Sequence, residues 1–208
     1  MNNITEILRR SPVVPVVVIE LADRATGLAR ALLQGGIDVI EITLRTPAGL
    51  AAIESIRSNV PEMCVGAGTV WTPNDVENAV VAGASFLVSP GSPPMLLDAV
   101  EKSGLPYLPG VQTVTEAAAA RERGYAAVKF FPAEAAGGIS VLKAMCSVLP
   151  ELQFCPTGGL NPEKARDYLA LDQVPCVGGT WLAPAKFLAG ENWRAITELA
   201  RQAAGLGQ

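Results

Sequence analysis

A single lysine interrupts an apolar run in the second half of the chain. Lys129 lies within residues 126–132, which read AAVKFFP, where a buried strand is expected to be uniformly apolar. Burying an ammonium group is costly unless the charge is paired or neutralised, and a neutral amine is the form that attacks a ketone. The position therefore predicts a lysine that forms a Schiff base. The alternative is a structural lysine that extends from the strand end into water.

An acid and a cation alternate in residues 39–45, which read VIEITLR. If this strand is extended throughout, Glu41, Thr43 and Arg45 point to the same side, because side chains alternate along a strand. Glu41 would favour the ammonium form of Lys129, whereas Arg45 would oppose it. We expect both side chains at the site. The alternative is a structural salt bridge between Glu41 and Arg45.

Two glycine pairs follow the last two predicted strands, in TGGLNP at 157–162 and VGGT at 177–180. In barrel enzymes the loops after strands seven and eight commonly bind phosphate, because glycine lets backbone N–H groups approach an anion at a helix N-terminus. The pairs predict a phosphorylated ligand. Tight turns are the alternative explanation.

These residues need a scaffold, and the chain predicts one of alternating strands and helices. Short β-branched runs alternate with Ala/Leu-rich stretches, which is typical of βα units around a parallel sheet. The predicted strands are 14–19, 39–43, 64–67, 86–89, 107–109, 126–130, 153–156 and 176–177. We predict an α/β protein with one domain over residues 1–208, a (β/α)8 TIM barrel. An open doubly wound sheet is the alternative, but no GxGxxG motif follows the first strand.

Element boundaries are marked by characteristic residues. Glycine is predicted to end a helix at Gly36, Gly83, Gly104 and Gly124. Helix starts are predicted at Thr72-Pro73, Ser92-Pro93, Thr115 with Glu116, and Asn161-Pro162. Because proline has no N–H to donate, pairing of the first strand is expected to begin after Pro15. Segments 4–10 and 193–203 are expected to close the barrel floor and to pack outside it.

Composition narrows the chemistry further. The 208 residues contain no histidine, which is the commonest general base and metal ligand, so a lysine-based route is favoured and no metal or cofactor is expected. The net charge is −4 and Lys and Arg are scattered, so neither nucleic acid nor membrane binding is expected. The four cysteines are far apart and are interpreted as core residues. With no leader-like start, a cytoplasmic protein is expected.

Six motifs, in order along the chain, carry a resemblance to a known family. They are VIEITLRT at 39–46, GAGTV at 66–70, FLVSPG at 86–91, VKFFPA at 128–133, PTGG at 156–159 and VGGTW at 177–181. The sequence resembles, over nearly its whole length, the class I aldolases that act on 2-keto-3-deoxy-6-phosphogluconate (KDPG) or 4-hydroxy-2-oxoglutarate.

The resemblance implies a role for each residue of a candidate site. Lys129 would form the Schiff base and Glu41 would be the acid and base. The remaining roles are the pyruvate carboxylate ligands Arg45 and Thr69, the pocket residues Pro90, Phe131 and Thr157, and the phosphate ligands Gly158, Gly159, Gly179 and Thr180. The family usually has serine at the position of Thr180, and Thr157 resembles the gluconate-type rather than the galactonate-type enzymes.

The resemblance also implies an activity and an assembly. The expected reaction is reversible cleavage of KDPG to pyruvate and glyceraldehyde 3-phosphate in the Entner–Doudoroff pathway, with 4-hydroxy-2-oxoglutarate as a further substrate, in a homotrimer. Two alternatives are an isomerase, epimerase or synthase on the same barrel, and a non-catalytic barrel that binds sugar phosphates. The KFFP motif at Lys129 argues against the first, and imine formation would exclude the second.

Overall fold

The computed structural model describes residues 4–207, in which parallel strands alternate with helices. The strands are β1 Val13–Val17, β2 Val39–Thr43, β3 Cys64–Gly68, β4 Leu87–Val88, β5 Tyr107–Leu108, β6 Gly110–Val111, β7 Ala127–Phe130, β8 Gln153–Pro156 and β9 Val177–Gly179. The helices are α1 Ile4–Leu8, α2 Ala25–Gln34, α3 Gly49–Asn59, α4 Pro73–Val81, α5 Pro94–Ser103, α6 Val114–Glu122, α7 Gly138–Val148, α8 Pro162–Leu169, α9 Ala185–Ala189 and α10 Trp193–Ala204. Short 3-10 helices span Ala22–Arg24 and Gly205–Gly207.

The strands form two curled parallel sheets, which confirms the α/β class. One sheet has the order β5-β4-β3-β2-β1-β9 and the other has the order β6-β7-β8. Only Pro109 separates β5 from β6, and an isolated parallel bridge joins Thr157, just after β8, to Gly178 in β9. The predicted strand 107–109 is therefore two short strands, because Pro109 has no N–H with which to continue the ladder.

The first strand departs from the expectation for Pro15. Val13, Val14 and Pro15 all pair with β9, so the strand begins before the proline. Pairing with β2 starts only at Val16, opposite Glu41. The prediction is thus wrong for the β9 side and correct for the β2 side. Proline is tolerated here because it lies where only one neighbour is paired.

Other strand ends shift by one or two residues. The fourth strand is limited to Leu87–Val88, and the last is Val177–Gly179 rather than 176–177. All residues of β1, β2 and β7 are buried, as is typical of parallel strands covered on both faces. The polar side chains of Glu41 and Lys129 are therefore held inside the protein.

The predicted glycines at the helix ends are confirmed by backbone geometry: Gly104 is the C-cap of α5, and the other three each follow a C-cap residue. Gly36, Gly83, Gly104 and Gly124 have φ values of 89°, 82°, 69° and 90°, in the left-handed region that favours glycine. They end the helices that precede β2, β4, β5 and β7, so each helix stops where the next strand must start.

Two of the four predicted helix starts are confirmed and two are wrong. Thr72 and Asn161 are N-caps whose side chains accept backbone N–H groups. Thr115 lies inside α6, whose N-cap is Thr113, because Thr113 stands three residues before Glu116 and the two exchange side-chain hydrogen bonds. Ser92 is not a cap either, since its hydroxyl donates to the Gly110 carbonyl at 2.9 Å and α5 begins at Pro94.

The terminal helices flank the strands. Ile4, Ile7 and Leu8 of α1 are buried, and Ile4 borders the residues that enter β5 and β7, so α1 lies at the end where strands begin. Helix α10 packs on α2, where the Thr197 hydroxyl donates to the Ala31 carbonyl at 3.0 Å. Within residues 4–207, none of the helices combines the length and the apolar character that crossing a bilayer requires.

Candidate active site

Lys129 and Glu41 form a buried ion pair in the interior. The Lys129 Nζ donates to Glu41 Oε1 at 3.1 Å and to Oε2 at 3.4 Å, although the residues are 88 positions apart. Their side chains are 5% and 4% exposed. The lysine therefore ends on a carboxylate inside the protein and does not extend into water, so the structural alternative for Lys129 is wrong.

A glycine makes room for the Glu41 carboxylate. Gly68 ends β3, and a Cβ on it would stand 2.1 Å from Glu41 Oε1, far inside van der Waals contact. The neighbouring register pairs Glu41 with Gly66 and Thr43 with Gly68. Because Gly68 has no side chain, the Glu41 carboxylate can occupy the space that a Cβ at this position would fill.

Lys129 and Glu41 together provide the functional groups that carbonyl chemistry needs. An amine that adds to a ketone must lose protons and the adduct must lose water, and a carboxylate at hydrogen-bond distance can exchange those protons. The Lys129 Nζ also lies 5.7 Å from the centroid of the Phe131 ring, which stabilises a positive charge there. The interior therefore brings together an amine, a carboxylate and an aromatic ring, a combination that can supply a nucleophile and a proton-exchanging group.

Arg45 is not on the face that strand alternation predicts. Strand β2 ends at Thr43, whose hydroxyl donates to the Val17 carbonyl at 2.9 Å, and residues 44–45 form a turn. Arg45 is exposed, and in the described part of the chain it forms no ion pair with Glu41. The expectation of one extended face is wrong, because the alternation stops with the strand. The structural Glu41–Arg45 salt bridge is likewise absent among residues 4–207.

Thr69 follows β3 directly, and Pro90 lies two residues after the end of β4. Thr69 is half-buried and has a φ of 59°, which is unusual for a β-branched residue and is the kind of strain found at functional sites. A Cβ on Gly110 would stand 2.3 Å from the Pro90 carbonyl carbon, so the two backbones are in close contact. Gly110 in turn pairs with Lys129, which brings Pro90 close to the lysine strand.

Thr157 is buried just after β8, the strand that pairs with the Lys129 strand. Lys129 pairs with Cys155 in β8, and Thr157 follows two residues later on the same face. The Thr157 hydroxyl is 3.4 Å from the Cys155 carbonyl. A Cβ on Gly178 would stand 2.2 Å from the same hydroxyl oxygen. Gly178 therefore provides the space in which the threonine side chain lies.

The two glycine loops are neighbours. The Thr157–Gly178 bridge brings the segment with Gly158 and Gly159 beside the end of β9, where Gly179 is buried and Thr180 is exposed. Gly158 and Gly159 have φ values of 103° and 79°. Two consecutive left-handed residues need glycine, and helix α8 begins just beyond them. The arrangement suits an anion that contacts both loops.

Three residues beside this loop were not singled out in the sequence. Glu134 accepts a hydrogen bond from the Tyr168 hydroxyl at 2.7 Å and forms an ion pair with Lys164. The Lys164 hydrogen bond and then that of Tyr168 lower the pKa of Glu134. Desolvation and then the adjacent carboxylate raise the pKa of Tyr168. Lys164 follows the predicted cap at Asn161, but only the fold brings it to Glu134.

The cysteines largely match the core interpretation. Cys146, Cys155 and Cys176 are buried, while Cys64 is half-buried, and all four are free thiols. The Cys155 and Cys176 sulfur atoms are 3.6 Å apart. Burial raises the pKa of Cys64 and of Cys146, and the hydrogen bond to Cys155 and burial raise that of Cys176. The raised pKa values keep the thiols of Cys64, Cys146 and Cys176 protonated near neutral pH.

Comparison with known proteins gives consistent matches. The model of the family described as KDPG and KHG aldolase matches residues 4–199. The KHG/KDPG aldolase of Escherichia coli K12 is 45% identical over 197 residues, which are 95% of this chain and 92% of that protein. The 2-dehydro-3-deoxy-phosphogluconate aldolase of Pseudoalteromonas atlantica is 44% identical over 198 residues, with the same coverage of 95% and 92%.

Solved structures agree with the sequence matches. The KDPG aldolase from Legionella pneumophila, with pyruvate captured as a covalent carbinolamine intermediate, has a TM-score of 0.96 and 45% identity, covering 98% of this chain and 99% of that one. The aldolase of Zymomonas mobilis ZM4 with 3-phosphoglycerate has a TM-score of 0.93 and 41% identity, covering 99% and 97%. These matches identify the chain as an aldolase, a carbon–carbon lyase. More particularly, it belongs to the KDPG and KHG aldolase family.

Proposed function

We propose that the chain reversibly cleaves KDPG to pyruvate and glyceraldehyde 3-phosphate through a Schiff base on Lys129, the reaction of the Entner–Doudoroff pathway. The observation that carries the proposal is the 3.1 Å contact between the Lys129 amine and the Glu41 carboxylate, both buried. Membership of the KDPG and KHG aldolase family and the pyruvate carbinolamine of the Legionella relative support it.

The reaction follows from an amine next to a carboxylate. Lys129 passes a proton to Glu41, and the resulting neutral amine adds to the C2 carbonyl of the substrate. Glu41 returns this proton to the carbinolamine hydroxyl, which leaves as water and gives an iminium ion. The bond from C3 to C4 then breaks, its electron pair forms an enamine, and the C4 hydroxyl loses its proton as the aldehyde leaves. Glu41 takes that proton and returns it to C3, and water releases pyruvate from the lysine.

Five surrounding residues would orient the keto acid. Arg45 and Thr69 would hold the pyruvate carboxylate, since a guanidinium matches a carboxylate with two hydrogen bonds. Arg45 is exposed, so this role requires its side chain to reach the site from the turn after β2. Pro90 and Phe131 would form pocket walls near Lys129, and the Thr157 hydroxyl would complete the pocket opposite them.

The phosphate would bind at the two glycine loops. Gly158 and Gly159 would present backbone N–H groups, and Gly179 and Thr180 would approach from the adjacent loop. The N-terminus of α8 adds a favourable dipole for an anion. The Zymomonas relative with 3-phosphoglycerate supports a phosphorylated ligand in this family.

The same proposal extends to the architecture. We infer one domain over residues 1–208 whose strands close into an eight-stranded barrel, with β5 and β6 as one interrupted strand. The single residue between them and the Thr157–Gly178 bridge support closure. We further expect a homotrimer that acts in the cytoplasm and that also accepts 4-hydroxy-2-oxoglutarate, as the KHG/KDPG name of the Escherichia coli relative suggests.

A comparison of two substrates tests the phosphate assignment. We expect kcat/KM to be roughly a thousandfold higher for KDPG than for its dephosphorylated analogue, because two or three charge-assisted hydrogen bonds of about 1.5–3 kcal/mol each are lost without the phosphate. Thr180→Val, which replaces the hydroxyl with a methyl group of similar size, should lower kcat/KM for KDPG and leave that for the analogue unchanged. Equal efficiency on both substrates in the wild type would contradict the proposal and favour 4-hydroxy-2-oxoglutarate.

A further inference from the structure

We propose that Lys164 is a positioning residue that determines specificity for phosphorylated substrates by neutralising Glu134 beside the Gly158–Gly159 loop. This inference rests on the proposed function, because it requires a phosphate at that loop. Lys164 and Glu134 are not among the residues proposed to contact the substrate, and they act on it through the electric field at the loop.

Glu134 is fixed to the glycine loop at two points. Its backbone N–H donates to the Gly158 carbonyl at 3.2 Å. A Cβ on Gly159 would stand 2.8 Å from the Glu134 Cβ and 2.9 Å from its Cγ, so the stem of the glutamate packs directly on that glycine. These two contacts therefore hold the backbone and the stem of Glu134 beside the loop.

A carboxylate in this position opposes the binding of an anion. Like charges a few ångströms apart repel, and a phosphate that carries up to two negative charges would meet the negative charge of Glu134. Lys164 cancels that charge through its ion pair, and the Tyr168 hydroxyl donates a further hydrogen bond at 2.7 Å. When Lys164 and Glu134 are paired, the electrostatic field at the loop comes mainly from the backbone N–H groups of the loop and from the α8 dipole.

The placement of Lys164 is difficult to explain by helix stability. Lys164 lies in the first turn of α8, where the helix dipole disfavours a cation. Its side chain is 47% exposed and that of Glu134 is 25% exposed, so the pair adds little to stability. Charge compensation next to an anion site accounts for both the position of the lysine and its partner.

The test replaces Lys164 and compares two substrates. In Lys164→Met, kcat/KM for KDPG should fall about tenfold, mainly through KM, whereas kcat/KM for the dephosphorylated analogue should change less than about twofold. Solvent exchange of the pyruvate methyl protons should stay at the wild-type rate, and Lys164→Arg should retain most of the KDPG activity. Lys143→Met is the matched control, since Lys143 is an exposed lysine of α7 that forms no ion pair among the described residues.

A double variant separates charge from structure. Glu134→Gln keeps the shape of the side chain and the Tyr168 hydrogen bond, so Glu134→Gln combined with Lys164→Met should restore KDPG preference to near the wild-type value. Lack of recovery, or an equal loss on both substrates, would overturn the inference. A wild-type enzyme without phosphate preference would overturn the proposed function as well, whereas normal preference in both wild type and Lys164→Met would remove only the role of Lys164.

Discussion

The position of the Glu41 carboxylate depends on the missing side chain of Gly68. A methyl group there would fall 2.1 Å from Glu41 Oε1, at a point where β3 and β2 are paired and have no freedom to separate. The carboxylate would have to shift from the position in which it accepts the 3.1 Å hydrogen bond from Lys129. The glycine is therefore as specific a requirement of the site as the two charged residues.

We expect Gly68→Ala to lower turnover at least about a hundredfold, since misplacing a proton-transfer group has effects of that order. Circular dichroism should still report a folded protein. Gly205→Ala is the matched control, because a Cβ at Gly205 has no neighbour within 4 Å and its φ of −83° suits any residue. Wild-type turnover in Gly68→Ala would contradict the account of Glu41.

Residue types alone predicted part of this site and missed part of it. Lys129 and Glu41 stood out because charged residues are rare in buried strands, and the structure brings them together. The strand end at Thr43 was predicted correctly, but the position of Arg45 was predicted wrongly, because the alternation was carried past that end into a turn. Glu134 was missed, since a glutamate in a loop is ordinary until its neighbours are known.

At the scale of elements, caps decide where helices begin. The start of α6 depends on Thr113, whose hydroxyl accepts the Glu116 N–H at 3.3 Å while the Glu116 carboxylate accepts the Thr113 N–H at 2.8 Å. The sequence TVTE at 113–116 contains two threonines, and the predicted cap was Thr115, which is adjacent to Glu116. Only the three-residue spacing closes both hydrogen bonds, which is why Thr113 and not Thr115 is the cap.

Thr113→Ala should lower the free energy of unfolding by about 1 kcal/mol, which is typical for loss of an N-cap. Thr115→Ala, its matched control inside α6, should have little effect or stabilise slightly, because alanine has the higher helix propensity. Urea unfolding followed by circular dichroism measures both. Equal destabilisation by the two substitutions would contradict the assignment of the cap.

The same capping box predicts a pH effect. Desolvation opposes ionisation of Glu116, but hydrogen bonds from Gln112 and Thr113 outweigh it and lower the pKa of the carboxyl. A carboxyl with a lowered folded-state pKa stabilises above its unfolded pKa and loses that contribution as the pH falls through the folded value. The stability difference between wild type and Glu116→Gln should therefore be largest near neutral pH and shrink in acid.

The order of elements along the chain was more predictable than their precise ends. Glycine at Gly36, Gly83, Gly104 and Gly124 marked the helix ends because left-handed backbone conformation strongly favours this residue. Pro109 split one expected strand in two, and β4 was reduced to two residues. The length of a strand depends on which backbone N–H groups pair with a neighbouring strand. The sequence of a single strand does not contain that information.

At the scale of the whole molecule, topology brings together residues that are far apart in sequence. Lys129 and Glu41 are separated by 88 positions, and Lys164 and Glu134 by 30. Each pair joins two different βα units, so the contact depends on strand order and register. Patterns within one unit predicted the elements and several of the site residues. They did not predict which charges would be neighbours.

The proposed assembly is also a property of the whole molecule. Val81 and Met95 are 87% and 72% exposed on the neighbouring helices α4 and α5, and large exposed apolar side chains are typical of surfaces that contact another protein. We expect sedimentation equilibrium to give a mass of three times the 21.7 kDa chain. A mass of one chain at micromolar concentration would contradict the homotrimer.

The central claim is that Lys129 forms the Schiff base, and borohydride reduction tests it most directly. Reduction in the presence of pyruvate converts the imine to a stable amine, and peptide mass mapping locates the added group. We expect the label on Lys129, with turnover lost in parallel and no label in a folded Lys129→Met variant. Labelling of Lys102, Lys143, Lys164 or Lys186 instead, or an unlabelled wild-type enzyme that still turns over, would contradict the account.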